Sequence, residues 1–269
     1  MAGFKVGVSL RFGETPDTDE NLQALIKSKM SHLETGYVRH ADDSAWTTAV
    51  RKTVESSPVN INSVHAPFSR EVDISRLDDG GAEFAIAEVG KAISMAERLG
   101  AGIVVLHGSA EPIDPIERRA CITRSRASLR RLGERAESHG IRIALELLPR
   151  TCLGNTADEL QELLADLPAE QIGLCLDANH LANTDDLIPT VKQLSERIIT
   201  LHISDYDGID EKHWMPFQGV VDWGGFATAL SEIGYTGAFV YETMPEGDTV
   251  TEKLAIIAAN FQRILNAAR

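Results

Sequence analysis

Short runs of apolar and β-branched residues recur along the whole chain and predict eight β-strands. Several runs are apolar at nearly every position, such as Ile-Val-Val-Leu at 103–106 and Ile-Ile-Thr-Leu at 198–201. Continuous runs of this kind are typical of strands that are buried on both faces, as in a parallel sheet. The predicted strands cover residues 4–10, 33–38, 59–65, 103–107, 141–147, 172–177, 198–203 and 238–242.

Segments with a helical period follow each predicted strand. The segment 82–99 is apolar at helical spacing and stops at Gly100, a residue typical of a helix C-cap. Thr156 and Glu159 have the spacing of a capping box and predict that a helix begins there and ends near Asp166. The other predicted helices cover residues 18–31, 44–55, 115–139, 184–195, 225–233 and 249–268.

This alternation predicts the fold class. Eight strand–helix repeats in about 250 residues have the count and size of a (β/α)₈ TIM barrel. The rival fold is an open doubly wound sheet, which usually carries a glycine-rich phosphate-binding turn after its first strand. The turn Gly-Glu-Thr-Pro at 13–16 is not of that kind, and no change of composition separates two domains. We therefore predict one α/β barrel domain over residues 1–269.

Charge and composition exclude several classes of protein. The chain has 26 Lys and Arg against 40 Asp and Glu, a formal net charge of −14, which argues against nonspecific binding to nucleic acid or to anionic membranes. No run of about 18 apolar residues predicts a membrane span. The first residues lack the pattern of a secretion signal. Three cysteines without a close pair do not form a disulfide framework, so we predict a cytoplasmic protein.

Ionisable side chains stand at the ends of six successive predicted strands. In a TIM barrel the chemistry collects at the C-terminal ends of the strands. A bare carboxylate or imidazole at the rim of a packed core costs free energy unless it is paired or bound to a metal. A single one of these residues is more often a hydrogen-bonding rim residue than a ligand, but six together predict a functional site. They are His65, His107, Glu146, Asp177, His202 and Glu242.

Four of these residues predict a metal site. Glu146, Asp177, His202 and Glu242 supply one imidazole and three carboxylates from four adjacent strands. Such oxygen and nitrogen ligands suit Mn²⁺, Mg²⁺, Co²⁺ or Zn²⁺ and do not suit a soft-metal site. We therefore expect one divalent metal ion as the cofactor.

Several short motifs at these strand ends resemble those of the xylose-isomerase-like TIM-barrel superfamily. They are Leu-Glu at 145–146, Leu-Asp-Ala-Asn-His at 176–180, His-Ile-Ser-Asp at 202–205 and Tyr-Glu at 241–242. A fifth, His-Trp-Met-Pro-Phe-Gln-Gly-Val-Val-Asp-Trp at 213–223, is similar to the His-x-x-Pro-x-x-Gly-x-x-Asp-Trp loop of that superfamily. The resemblance covers nearly the whole chain. The superfamily includes sugar phosphate isomerases and epimerases, inosose dehydratase and abasic-site nucleases of the endonuclease IV type.

The resemblance also implies roles for single residues. It implies that the four strand-end residues hold one divalent metal and that, in the epimerase branch, Glu146 and Glu242 also transfer protons on opposite faces of the substrate. His180 would contact a substrate hydroxyl or, in the nuclease branch, a second metal. The chain departs from the superfamily at three positions that bear on substrate contacts: Ser204 stands where Lys is frequent, and Phe217 and Gln218 stand where Gly and Glu are frequent. His65, His107 and His213 also match ligand positions of the multi-metal site of the nuclease.

These observations lead to a metal-dependent isomerase or epimerase of a sugar or a hydroxy-keto acid. Glu146 and Glu242 would abstract and return a proton next to a carbonyl, through a metal-stabilised enediolate. The alternative is that both glutamates serve only as metal ligands and that another group is the base. The residues expected to bind the small-molecule substrate are His65, His107, Arg150, His180, His213 and Trp214.

Other functions and roles stay open. A dehydratase or lyase of the inosose or dehydroshikimate type would use the same site. An endonuclease IV-like phosphodiesterase would use the additional histidines. A third possibility is a non-catalytic barrel that only binds a ligand. No motif decides between a monomer and a homo-oligomer. Arg150 is expected either to grip a carboxylate or phosphate or to form a surface salt bridge. Trp214 and Phe217 are expected to form a wall of the substrate cavity, and Phe12 is expected to line the mouth of the barrel. Trp223 is expected to pack at the start of the next helix. Asp205 is expected to orient His202 or His213.

Overall fold

The computed structural model describes residues 3–13, 19–38, 44–181 and 186–268. Eight parallel strands form a closed barrel in chain order, and the eighth strand pairs with the first. The predicted TIM barrel is therefore confirmed. The strands are β1 (Lys5–Ser9), β2 (His32–Gly36), β3 (Asn60–His65), β4 (Ile103–Leu106), β5 (Arg142–Glu146), β6 (Ile172–Asp177), β7 (Ile198–Ile203) and β8 (Ala238–Tyr241).

A helix follows each strand and covers the outside of the barrel. The third helix begins three residues earlier than the pattern predicts, because the side chain of Asp78 caps it by accepting the Gly81 N–H at 2.7 Å. It ends as predicted at Gly100, which has a φ of 77°. The helices are α1 (Glu20–Ile26), α2 (Ser44–Glu55), α3 (Asp79–Leu99), α4 (Arg118–Glu137), α5 (Ala157–Leu164), α6 (Leu187–Gln193), α7 (Trp223–Glu232) and α8 (Val250–Ala267).

Only half of the predicted capping box at α5 is present. The Thr156 hydroxyl accepts the Glu159 N–H at 3.3 Å. The Glu159 carboxylate accepts the Gly154 N–H at 2.6 Å and pairs with Arg118, so it does not return to the cap residue. A complete box occurs at the start of α8, where the cap is Thr249.

The strands are buried as their composition predicts. All six residues of β6 are buried, and the helices pack their apolar faces on the outside of the sheet. Cys121, Cys152 and Cys175 are buried and free. Within the described part of the chain, no helix combines the length and the hydrophobicity that crossing a bilayer requires.

The strand register brings the strand-end residues to one mouth of the barrel. Glu146 lies opposite Cys175, and Asp177 lies opposite His202. Since all strands run in the same direction, their last residues share one rim, and the loops that follow them surround a single cavity.

Candidate active site

The structure brings the four predicted metal ligands together. Ligand atoms of Glu146, Asp177, His202 and Glu242 all lie within 4.8 Å of one another. His202 Nδ1 is 2.9 Å from Glu146 Oε1, 3.3 Å from Glu242 Oε2 and 3.6 Å from Asp177 Oδ2. We call these four residues the cation cluster.

The cation cluster fits a divalent metal ion. Asp177 Oδ1 accepts the Asn179 N–H at 2.7 Å, whereas Asp177 Oδ2 is buried and lacks a hydrogen-bond partner among the described residues. A buried carboxylate oxygen without a partner costs free energy unless a cation satisfies it. Three carboxylates and one imidazole nitrogen are the ligand types that Mn²⁺, Co²⁺ and Zn²⁺ accept.

The two glutamates of the cluster have opposite electrostatic surroundings. Burial raises the pKa of Glu146. The charges of His202 and His107 and their hydrogen bonds to Glu146 have the larger effect and lower its pKa well below the ordinary value. Burial also raises the pKa of Glu242. Repulsion from the carboxylates of Glu146 and Asp177 raises this pKa further, and the attraction of His202 only partly offsets the rise. Glu146 therefore favours the carboxylate form, and Glu242 holds a proton more readily.

Glu34 holds His202 from the side opposite the cluster. Its Oε1 is 3.0 Å from His202 Nε2, and its Oε2 accepts the Ser63 hydroxyl at 2.7 Å. All three side chains are buried. Glu34 was not predicted, because it lies inside β2 and not at the end of a strand. A signal was present, since a carboxylate in the middle of a buried strand requires a partner.

Two further histidines approach the same glutamate. Glu146 Oε2 is 3.2 Å from His65 Nε2 and 3.0 Å from His107 Nε2, so these three residues form a second group with metal-ligand geometry. Burial acts to lower the pKa of His65, but the hydrogen bond and charge of Glu146 raise it to about 9. Burial lowers the pKa of His107.

A third group consists of His180, Glu211 and His213. His180 Nε2 is 3.2 Å from Glu211 Oε2, and His180 Nδ1 is 2.8 Å from the Leu147 carbonyl oxygen. Glu211 was not predicted, since it lies in the long loop after β7 where acidic residues are common. Glu211 reaches His180 only because the folded loop brings it to the cavity at the barrel mouth.

Arg150 joins three loops at the rim. Its Nε lies 2.9 Å from Glu111 Oε1, its Nη1 lies 2.8 Å from Asp210, and its Nη2 lies 3.3 Å from Glu211. Of the two expectations for Arg150, the structure shows the salt bridge. Three carboxylates already surround the guanidinium, so it has little capacity left for an anionic substrate.

The cluster opens into a cavity of about 300 Å³. Its lining includes the predicted substrate residues His65, His107, His180, His213 and Arg150 together with Glu146 and Glu242. The lining also includes Phe68, which was not predicted. Its side chain is 54% exposed, and its ring stacks on His107 at a centroid distance of 4.2 Å.

The aromatic residues predicted to wall the cavity or to line its mouth are not among the residues that line it in the structure. Trp214 lines a separate depression with Met244 and Ile256, outside the cavity. Phe217 lies under the guanidinium of Arg263 at 3.9 Å, and Phe12 is buried in the core. The sequence places a residue on a loop but does not give the direction of its side chain.

Asp205 organises the loop after β7 and forms no hydrogen bond or ion pair with His202 or His213. Its carboxylate accepts the N–H groups of Tyr206, Phe217 and Val221 and the indole N–H of Trp223. The expectation that Asp205 orients a histidine is therefore wrong. Trp223 is buried at the start of α7, as predicted.

Proteins with similar sequences include named isomerases and epimerases. The protein MJ1311 of Methanocaldococcus jannaschii is 27% identical over 228 residues, 78% of each chain. The inosose isomerase of Bacillus subtilis is 31% identical over 140 residues, 49% of this chain and 50% of that protein. The ketose 3-epimerase of Arthrobacter globiformis is 24% identical over 208 residues, 75% of this chain and 67% of that protein.

The fold has close counterparts among solved structures. A D-tagatose 3-epimerase-like protein superposes with a TM-score of 0.82 and 22% sequence identity, over 98% of this chain and 99% of that one. The family model described as the xylose isomerase-like TIM barrel matches residues 28–260. The protein therefore belongs to the xylose isomerase-like TIM barrel family, and its relatives include sugar isomerases and epimerases.

Proposed function

We propose that the protein is a divalent-metal-dependent isomerase or epimerase of a sugar or a hydroxy-keto acid. One observation carries the proposal: Glu146 and Glu242 meet at one imidazole nitrogen, at 2.9 and 3.3 Å, in a group of possible metal ligands beside a cavity. Two carboxylates at one site are what a reaction needs when it removes a proton at one position and delivers a proton at another.

A bound divalent cation would supply positive charge that polarises the substrate carbonyl. The chain itself supplies the proton transfer. One glutamate, as the carboxylate, takes the proton from the carbon next to the carbonyl. The other glutamate, already protonated, gives its own proton to a different atom or to the opposite face, so the two glutamates exchange protonation states.

The rest of the cavity fits a small hydroxylated substrate. His65, His107 and His180 line the cavity beside the cluster, and we expect them to bind substrate hydroxyl groups in exchange for their contacts with Glu146 and Glu211. Phe68 and Leu148 contribute apolar surface to the same lining, which favours a dry site once a substrate is bound. The names of the relatives, inosose isomerase and ketose 3-epimerase, support sugars as the substrate class.

The proposal is tested by proton exchange. Ketoses, inososes and hydroxypyruvate are incubated in D₂O with the protein and Mn²⁺, Co²⁺ or Mg²⁺, and deuterium incorporation and product formation are followed by NMR. Glu146→Gln and Glu242→Gln should each lower the rate at least a few hundredfold, on the order expected for general acid–base groups. Glu246→Gln, an exposed glutamate, is the matched control. Full activity in either cluster variant would remove that glutamate from the mechanism, and exchange with none of the substrates would overturn the proposal.

A lyase would begin with the same proton abstraction and end with loss of a hydroxyl group. The same assay distinguishes it, because the product of a dehydratase lacks the elements of water. Mass spectrometry of the product therefore decides between isomerisation and dehydration.

The second candidate is an abasic-site phosphodiesterase. The observation that favours it is the set of three adjacent ligand groups, two of which share Glu146, since clustered metal ions serve phosphodiester hydrolysis. The net charge of −14 weighs against it, because duplex DNA is gripped through its phosphates. We expect no cleavage of an abasic-site oligonucleotide with Zn²⁺ or Mn²⁺ at physiological salt. Rapid cleavage there, without exchange on any sugar, would make this candidate the better one.

A further inference from the structure

A second cavity of about 260 Å³ opens next to the cation cluster. It shares His65, Phe68 and Glu242 with the larger cavity, so the two spaces meet at the cluster. On its far side the lining comes from the ends of β1 and β2 and includes Ser9, Arg11, Gly36 and Tyr37. A molecule whose reacting carbons lie at Glu242 can therefore extend toward Arg11.

Arg11 presents its guanidinium from an anchored loop. Its own carbonyl accepts a hydrogen bond from the side chain of Asn21 at 2.9 Å. Two residues later, the Gly13 carbonyl accepts the indole N–H of Trp46 at 2.8 Å, and the Gly13 N–H donates to Asp19 at 2.7 Å. The loop that carries Arg11 is therefore held by three side chains, and the position of Arg11 beside the cavity is set by the fold.

The Arg11 side chain is exposed and available to a ligand. No carboxylate of the described residues lies within ion-pair distance of it, in contrast to Arg150, which contacts three. Its Nε lies 3.5 Å from the place where a Gly36 Cβ would stand, so the side chain rests on the bare end of β2. An arginine that lines a cavity without a carboxylate partner is suited to bind a carboxylate or phosphate through two parallel hydrogen bonds.

We propose that this second cavity binds the anionic end of the substrate and that Arg11 is the residue that recognises it. The inference rests on the proposed function, which places the reacting carbons at Glu146 and Glu242. The ligand class is a polyhydroxylated molecule with a terminal carboxylate or phosphate. Because the chain carries a net charge of −14, an anionic ligand needs a local positive group to be held.

The test measures binding of probes that have no ketone or aldehyde group. Sorbitol, gluconate and sorbitol 6-phosphate are titrated calorimetrically into the Mn²⁺-loaded protein. We expect at least one of the two anions to bind about tenfold more tightly than sorbitol, which corresponds to one charge-assisted interaction. The anion that gains affinity identifies the terminal group as a carboxylate or a phosphate.

Variants assign the preference to Arg11. Arg11→Gln should reduce the ratio of the affinities for the anion and for sorbitol to less than about threefold. Arg11→Lys should keep part of the preference, because lysine retains the positive charge but lacks the two parallel N–H donors of the guanidinium. Two variants with the same loss of charge are the controls. Arg70→Gln alters an arginine of the larger cavity, and Arg130→Gln alters an exposed arginine on α4. Both should keep the full advantage.

Three outcomes would overturn the proposal: no anion preference in the unaltered protein, an unchanged preference in Arg11→Gln, or an equal loss in Arg70→Gln. The test is independent of turnover. An anion preference that depends on Arg11 in a protein without isomerase activity would leave the subsite standing and reject only the proposed reaction.

Discussion

The imidazole of His202 is held between two buried carboxylates, with Nδ1 2.9 Å from Glu146 and Nε2 3.0 Å from Glu34. Because Nδ1 faces the cation cluster, the lone pair needed for a metal must be on Nδ1 and the proton on Nε2. Glu34 accepts a hydrogen bond from this Nε2–H and thereby sets both the tautomer and the orientation of the ring.

Replacing Glu34 by Gln should weaken cation binding. The amide keeps the shape of the side chain but removes the charge that supports the Nε2–H tautomer of His202. We expect the affinity for Mn²⁺, measured by calorimetry, to fall about tenfold or more, within the range for residues that orient metal ligands. Glu246→Gln serves as the control for the loss of one negative charge. Unchanged affinity in Glu34→Gln would show that Glu34 only stabilises the fold.

Adding a divalent cation should stabilise the protein against unfolding. The cluster places the carboxylates of Glu146, Asp177 and Glu242 close together, and a cation that binds only the folded state removes their repulsion. With Mn²⁺ at 100 times its Kd, the free energy of unfolding should rise by about 2.7 kcal/mol relative to the protein in EDTA. Urea denaturation measures the difference.

Asp177→Asn should remove most of this gain, because it alters the carboxylate whose Oδ2 lacks a hydrogen-bond partner among the described residues. Asp166→Asn is a suitable control, since Asp166 is exposed and its φ of 59° is one that asparagine tolerates. Equal unfolding midpoints with Mn²⁺ and with EDTA would argue against a cation at this cluster.

Asp205→Asn should destabilise the loop after β7. The carboxylate accepts hydrogen bonds from four N–H groups. In asparagine an NH₂ group replaces one of the two oxygens, and it cannot accept hydrogen bonds from the N–H groups that face it. The loss in the free energy of unfolding should be at least about 2 kcal/mol, since each buried donor without a partner costs about 1–3 kcal/mol. Asp207→Asn, in the same loop but with exposed contacts, should cost less than about 1 kcal/mol. Similar losses in the two variants would contradict the central role of Asp205.

Lowering the pH should destabilise the protein through His32. Burial, with a smaller contribution from the charge of Lys5, lowers the pKa of His32 from 6.5 to about 4. Between these values the unfolded chain binds a proton that the folded protein does not bind, so stability falls as the pH falls through this window and is unaffected above it.

The comparison with His32→Gln isolates this contribution. Urea denaturation at pH 7.5 and pH 5.0 should show that the unaltered protein loses more stability than the variant, by an amount on the order of 1 kcal/mol. Other groups titrate in both proteins, so only the difference between the two losses is informative. Parallel losses would mean that His32 is protonated in the folded protein.

Much of the fold follows from local patterns in the chain. The apolar run at Ile172–Asp177 predicts a strand buried on both faces, and all six residues are buried. Gly100 ends α3 where the pattern ends. Such features depend on a few neighbouring residues, so they can be recognised before any long-range contact is known.

The loops show where local patterns stop being informative. Trp214 lies three residues after an acidic run and next to His213, yet of these two neighbours only His213 lines the cavity. Phe68 and Glu211 do line it, although nothing in their neighbourhood distinguishes them from ordinary loop residues. The direction of a loop side chain depends on backbone turns and on contacts with other loops, which the hydrophobic period does not encode.

By itself, the sequence determined that the chain forms an eight-stranded barrel and that His65, His107, Glu146, Asp177, His202 and Glu242 share one rim, because parallel strands present their C-terminal ends at the same mouth. Only the tertiary structure decided which of them touch. The contact of Glu34 with His202 and the three ion pairs of Arg150 join residues that are far apart in the chain. Barrel closure and strand register set these distances, and no local pattern contains them.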